Sequence, residues 1–185
     1  MTDRTAPKAL VLVQELTNTL EVDSGEDALA APGGIADFAH RHGLDGLGSR
    51  PDTAARELAA LRELREALRA ACLAHTGTDM PGEASAALAQ RLAHAPLILE
   101  VDEAGRAGLR PAPGLSGVPA LTARIAVGIA TAAGDGDWQR LKACEAHDCL
   151  WVFYDRSPAG RGRWCSMAVC GSRAKMRTYR ANRQR

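Results

Sequence analysis

Cys144-Glu-Ala-His-Asp-Cys149-Leu-Trp-Val-Phe-Tyr-Asp155, answered from position 165 by Cys165-Ser-Met-Ala-Val-Cys170-Gly-Ser-Arg173, sets four of the five cysteines at C-x4-C-x15-C-x4-C spacing. Two close thiol pairs joined by a hairpin-sized insert suit tetrahedral Zn(II). Each pair offers two thiolates from one turn of backbone, and the insert lets the pairs converge. Cys144, Cys149, Cys165 and Cys170 are therefore the expected ligands of one structural zinc ion per chain. The four-residue gaps are at the wide end of finger usage, and the symmetry of the pairs compensates. Other readings stand beside this one. Two disulfides would need an oxidising compartment, an iron–sulfur cluster more often uses three clustered cysteines, and His147 inside the first pair can replace a thiolate.

The insert alternates, with Trp151 and Phe153 on one side of an extended segment and Val152 and Tyr154 on the other. Residues 155–162 are turn-rich, so Arg163-Trp164 is expected to return beside that strand as a β-hairpin. Trp151, Phe153 and Trp164 are the expected mini-core. About 45 residues bury too little apolar surface to fold unaided, and a structural metal supplies on the order of 10 kcal/mol to such modules. A helix is expected after Cys170. On it Arg173, Arg177 and Arg180 fall at i, i+4 and i+7 and share a face, Lys175 and Arg183 flank them, and Met176 and Tyr179 turn toward the hairpin. An arginine-striped helix fits the DNA major groove, where guanidinium groups reach guanine edges. Arg161 and Arg163 at the hairpin tip are candidate phosphate clamps.

Charge separates the same region from the rest. Residues 156–185 hold nine basic groups and no acidic one, whereas residues 1–155 hold fourteen basic against twenty-two acidic groups. A body at −8 and a terminus at +9 direct a polyanion to the terminus alone. Six of the seven aromatic residues lie from Trp138 onward, which argues that this basic terminus is folded. No run of 18 apolar residues marks a membrane span, and Met1 to Lys8 lacks a secretory pattern; a cytoplasmic protein with reduced thiols is expected.

The body reads as mainly helical with a small β element. Residues 10–20 are apolar and suit either a strand or a buried helix. Residues 23–34 read as a loop or short helical turns, and residues 43–51 as a break. Pro51-Asp52-Thr53 opens a helix to about His75, with Leu58, Leu61, Leu64, Leu68 and Cys72 as its apolar stripe and charged residues filling the remainder. A second helix covers about Glu83–Ala93, a hairpin Leu97–Arg110, and a third helix Ser116–Ala133. Gly134-Asp-Gly-Asp137 is the expected joint, dividing the chain into residues 1–135 and 138–185.

Arg140-Leu-Lys-Ala-Cys144, Cys149 through Phe153-Tyr-Asp155, Arg163-Trp-Cys165-Ser-Met and Cys170-Gly-Ser-Arg173-Ala-Lys175 resemble the CGNR zinc finger of bacterial transcriptional regulators. Ser172 stands where the name-motif of that family has Asn. The resemblance implies a DNA-binding finger at 138–185 behind an ABATE domain at 1–135, a helical sensor of stress or a small ligand. It also implies a nucleoid-associated place in a bacterial cytoplasm. Leu16-Thr-Asn18-Thr19-Leu20 and Leu64-Arg65-Glu-Ala-Leu68 are similar to short ABATE signatures, and through them Asn18, Thr19 and Arg65 become candidates for an effector pocket.

The expected function is a zinc-dependent regulator of double-stranded DNA, responsive to an effector and acting as a homodimer, since one finger offers a small interface. An RNA-binding module and a protein-interaction adaptor with a zinc staple are the alternatives. An enzyme is disfavoured, because four thiolates leave zinc no open position for water.

Overall fold

A computed structural model describes residues 4–183, Thr178 by its backbone alone. Arg185, counted above among the basic groups, lies outside the described residues. In chain order the elements are α1 (Lys8–Thr17), α2 (Gly34–His42), α3 (Ala54–Ala74), α4 (Gly82–Ala93), β1 (Leu97–Val101), β2 (Ala107–Pro111), α5 (Gly117–Gly134), β3 (Leu141–Ala143), β4 (Val152–Tyr154) and α6 (Ser172–Arg183). A 3-10 turn, Trp138–Arg140, precedes β3, and a π-helical turn, Met167–Gly171, leads into α6. The fold is mainly α with two small antiparallel sheets, β1–β2 and β3–β4.

The ambiguous stretch near residue 10 resolves as α1. Leu10, Val13 and Leu16 recur at helical spacing and are fully buried, a pattern that a strand would split between two faces. On α3 the expected stripe holds, with Leu61, Leu64, Leu68 and Cys72 at zero exposure. The charged remainder of α3 does not all face water: Arg65 and Arg69 are each only 3% exposed.

Helix α5 runs through the middle, against α1, α3, α4 and the β1–β2 hairpin. Gly128 lets α1 come close, since a Cβ there would lie 2.1 Å from the Ala9 carbonyl oxygen. By length and apolarity alone α5 could cross a bilayer; in this fold Leu121, Ile125 and Ala132 are in the protein core.

The expected joint at Gly134–Asp137 is a tight turn, closed by the Asp137 amide donating to Ala132 O at 2.8 Å. The chain beyond it stays on the body. Leu141, Ala143, Val152 and Tyr154 belong to the same buried cluster as Leu10, Leu64 and Leu121.

Candidate functional site

The hairpin of the cysteine region is built differently from the expectation. Strand β4 pairs with β3, upstream of the first cysteine, in the register Leu141↔Tyr154, Lys142↔Phe153 and Ala143↔Val152. Arg163-Trp164 instead runs beside the first knuckle, where the Glu145 amide donates to Arg163 O at 3.0 Å. Residues Cys144–Cys149 thus form the loop of the β3–β4 hairpin. Because neighbouring strand residues point to opposite faces, Leu141, Ala143, Val152 and Tyr154 enter the body core, while Phe153 joins Cys144, Ala146 and Cys170 on the other side. Trp164 packs on that second cluster. Trp151, expected there too, is 39% exposed.

The body grips this hairpin by its backbone. The Asn18 side chain acts as a strand edge, its amide donating to Val152 O and its carbonyl oxygen accepting from Val152 N, both at 2.8 Å. Gln14 also donates to Val152 O at 3.2 Å. Arg69 donates to Leu150 O at 2.9 Å, where Leu150 holds a left-handed φ of 51°. Arg4 lies over the Phe153 ring and donates to Trp164 O at 3.0 Å. Sequence reasoning missed Arg69 and Gln14, because their partners are carbonyls more than 80 residues away and no local pattern marks them.

The four sulfurs converge. All lie within 4.8 Å of one another, with Cys149–Cys165 at 3.6 Å and Cys165–Cys170 at 3.7 Å. A tetrahedron with zinc–sulfur bonds of about 2.3 Å has sulfur–sulfur edges of about 3.8 Å, so this donor set fits one zinc ion. Taken as thiols, Cys149 and Cys165 hydrogen-bond Cys144, which holds Cys144 far below the usual thiol range and pushes the other two up. His147 is outside the cluster, 82% exposed at its side chain and 3.5 Å from Asp148. All five cysteines are free of disulfides. With four protein thiolates the metal would be structural.

The second knuckle and the loop between the knuckles are each locked by one side chain. On the second, the Ser166 hydroxyl accepts from Val169 N at 3.3 Å, capping the π turn. Between the knuckles the Asp155 carboxylate organises its loop, accepting from Ser157 N at 3.0 Å, Gly162 N at 2.6 Å and the buried Lys142 ammonium at 3.0 Å. Burial alone would raise the Asp155 pKa, but the hydrogen bonds from Ser157, Gly162 and Lys142 outweigh it and hold the carboxyl well below the usual range.

Helix α6 leaves this cluster with its cationic side chains in solvent. Arg173, Lys175, Arg177, Arg180 and Arg183 are all exposed. Arg173 comes within 3.7 Å of Asp148, and Arg183 lies over the Tyr179 ring. Met176 and Tyr179 do not pack on the hairpin as expected; they are 51% and 56% exposed. Of the two expected phosphate clamps, Arg161 is exposed. Arg163 is ion-paired with Glu145 and stacked on Trp164.

Residues 140–183 match the family described as CGNR zinc finger. Residues 10–143 match ABATE, described as "Putative stress-induced transcription regulator". The chain belongs to the ABATE family. A search of curated proteins gives no match. The ABATE and CGNR matches overlap on residues 140–143, which include strand β3, shared by the body core and the finger. In the ABATE body the expected effector residues bond other parts of the protein, and Asn18 and Thr19 also line a groove with Asp27 and Trp151. Asn18 holds β4, the Thr19 hydroxyl donates to Leu16 O, and Arg65 bonds Asp27, Glu66 and Thr19. At the position where CGNR fingers have Asn, the Ser172 hydroxyl of this ABATE protein donates to Met167 O at 3.1 Å, tying α6 to the π turn.

Proposed function

We propose that the protein is a zinc-dependent transcriptional regulator that binds double-stranded DNA through α6. The carrying observation is the placement of α6. A helix with five exposed cationic side chains and no acidic residue projects from a cluster whose four sulfurs fit one zinc ion. Lys175, Arg177 and Arg180 have no acidic partner among the described residues, so their charge is available to phosphates and base edges. Arg161 adds a further phosphate contact, while Arg163 fixes the knuckle it is bonded to. Binding to the chromosome places the protein in the cytoplasm. A homodimer would double a small interface.

Titration of zinc-loaded protein against labelled duplex at rising salt tests the reading. Neutralising four to six phosphates gives a log–log slope of about −4 to −5. Retention of single-stranded RNA in preference to duplex favours an RNA module, and retention unchanged by R173A/R177A/R180A favours an adaptor.

A further inference from the structure

Helix α6 and the π turn before it leave apolar side chains open to solvent among cationic ones. Val169 of the π turn and Arg173, Met176 and Arg180 of α6 line one shallow groove, alternately apolar and cationic in sequence, with Ser172 and Arg177 beside them. Val169 is 48% and Met176 51% exposed. An apolar side chain gains nothing from water, whereas guanidinium groups above and below it attract a polyanion. Duplex DNA answers both demands: it brings phosphates and guanine edges, and in the major groove it presents one apolar group, the thymine 5-methyl.

We infer that Val169 and Met176 are specificity-determining residues that contact thymine methyls, while Arg173 and Arg180 contact guanine edges or phosphates beside them. This rests on the proposed DNA-binding reading and names which bases the helix prefers. The two methyl contacts fall within one site that interleaves thymine with guanine.

The test selects duplexes from a random pool with the full-length zinc-loaded protein, then resynthesises the winners with every thymine replaced by deoxyuridine. Each lost methyl contact is expected to weaken binding roughly fourfold, so two cost roughly 15-fold. In V169S/M176Q, with zinc content unchanged, thymine and uracil duplexes should bind equally and the salt slope should stay that of the wild type. Equal wild-type affinity for both duplexes overturns the inference and leaves DNA binding standing. Absence of any salt-dependent duplex binding overturns both. A wild-type dimer that V169S/M176Q splits without DNA, with no thymine preference, assigns the face to a second copy of the chain.

Discussion

The two cysteine pairs bring their sulfurs to one point from opposite kinds of surroundings. Cys144 and Cys149 sit in the loop of a hairpin whose strands are buried in the body and whose backbone is held by Asn18, Gln14 and Arg69. Cys165 and Cys170 lie on a segment tied to the first knuckle by Arg163 with Glu145 and to the N-terminal segment by Arg4 on Trp164 O, capped within by Ser166, and it carries a helix that touches little else. The first half is held to the body by side chains at α1 and α3, and the second half by fewer contacts, at Arg163 and Trp164. Zinc on the four thiolates would tie the second half to a hairpin that the body already holds.

Chelation is the strongest way to break that contrast. On removal of zinc, amide exchange in α6 and residues 163–171 should quicken by at least about 100-fold. The amides of Val152 and Tyr154, bonded to Asn18 and to Arg4 O, should change by less than about tenfold. Equal loss of protection in both halves would show that they fold as one unit. Next in size is Asp155→Asn, which leaves Lys142 buried without its charge partner and should cost roughly 3–5 kcal/mol at neutral pH in denaturant unfolding. The folded pKa of Asp155 is depressed, so its contribution is complete above the unfolded value near 4 and fades as pH falls through the folded one. Wild type and D155N should therefore converge in acid. Asn18→Ala, which removes both Asn18 hydrogen bonds and leaves Val152 held only by Gln14 at its carbonyl, should cost about 1–3 kcal/mol and loosen the hairpin more than α6. The smallest effect belongs to Leu150→Gly. Relief of the left-handed backbone should raise the unfolding midpoint by an amount equivalent to about 1 kcal/mol, whereas Leu150→Val should lower it.

The residues that could be read from sequence are those whose partners are near or whose chemistry is distinctive. The cysteine pairs announce themselves by spacing, and Leu61, Leu64, Leu68 and Cys72 by periodicity. The partner of β4 could not be read, because Leu141-Lys-Ala143 is three residues long and has no β-branched or aromatic character; only tertiary packing selects it. Arg65 and Arg69 look like solvent-facing residues of a charged helix, and their burial follows from Asp27, Glu66 and two distant carbonyls. Met176 and Tyr179 were legible as apolar, yet which surface would cover them was not.

The pleat of β4 has a consequence for how this chain can change length. Val152 and Tyr154 belong to one interior and Phe153 to another. A single inserted residue would turn the ring toward the helices and the aliphatic groups toward sulfur, corrupting both interiors at once. Insertions of two restore the alternation, so this short strand tolerates growth only in even steps.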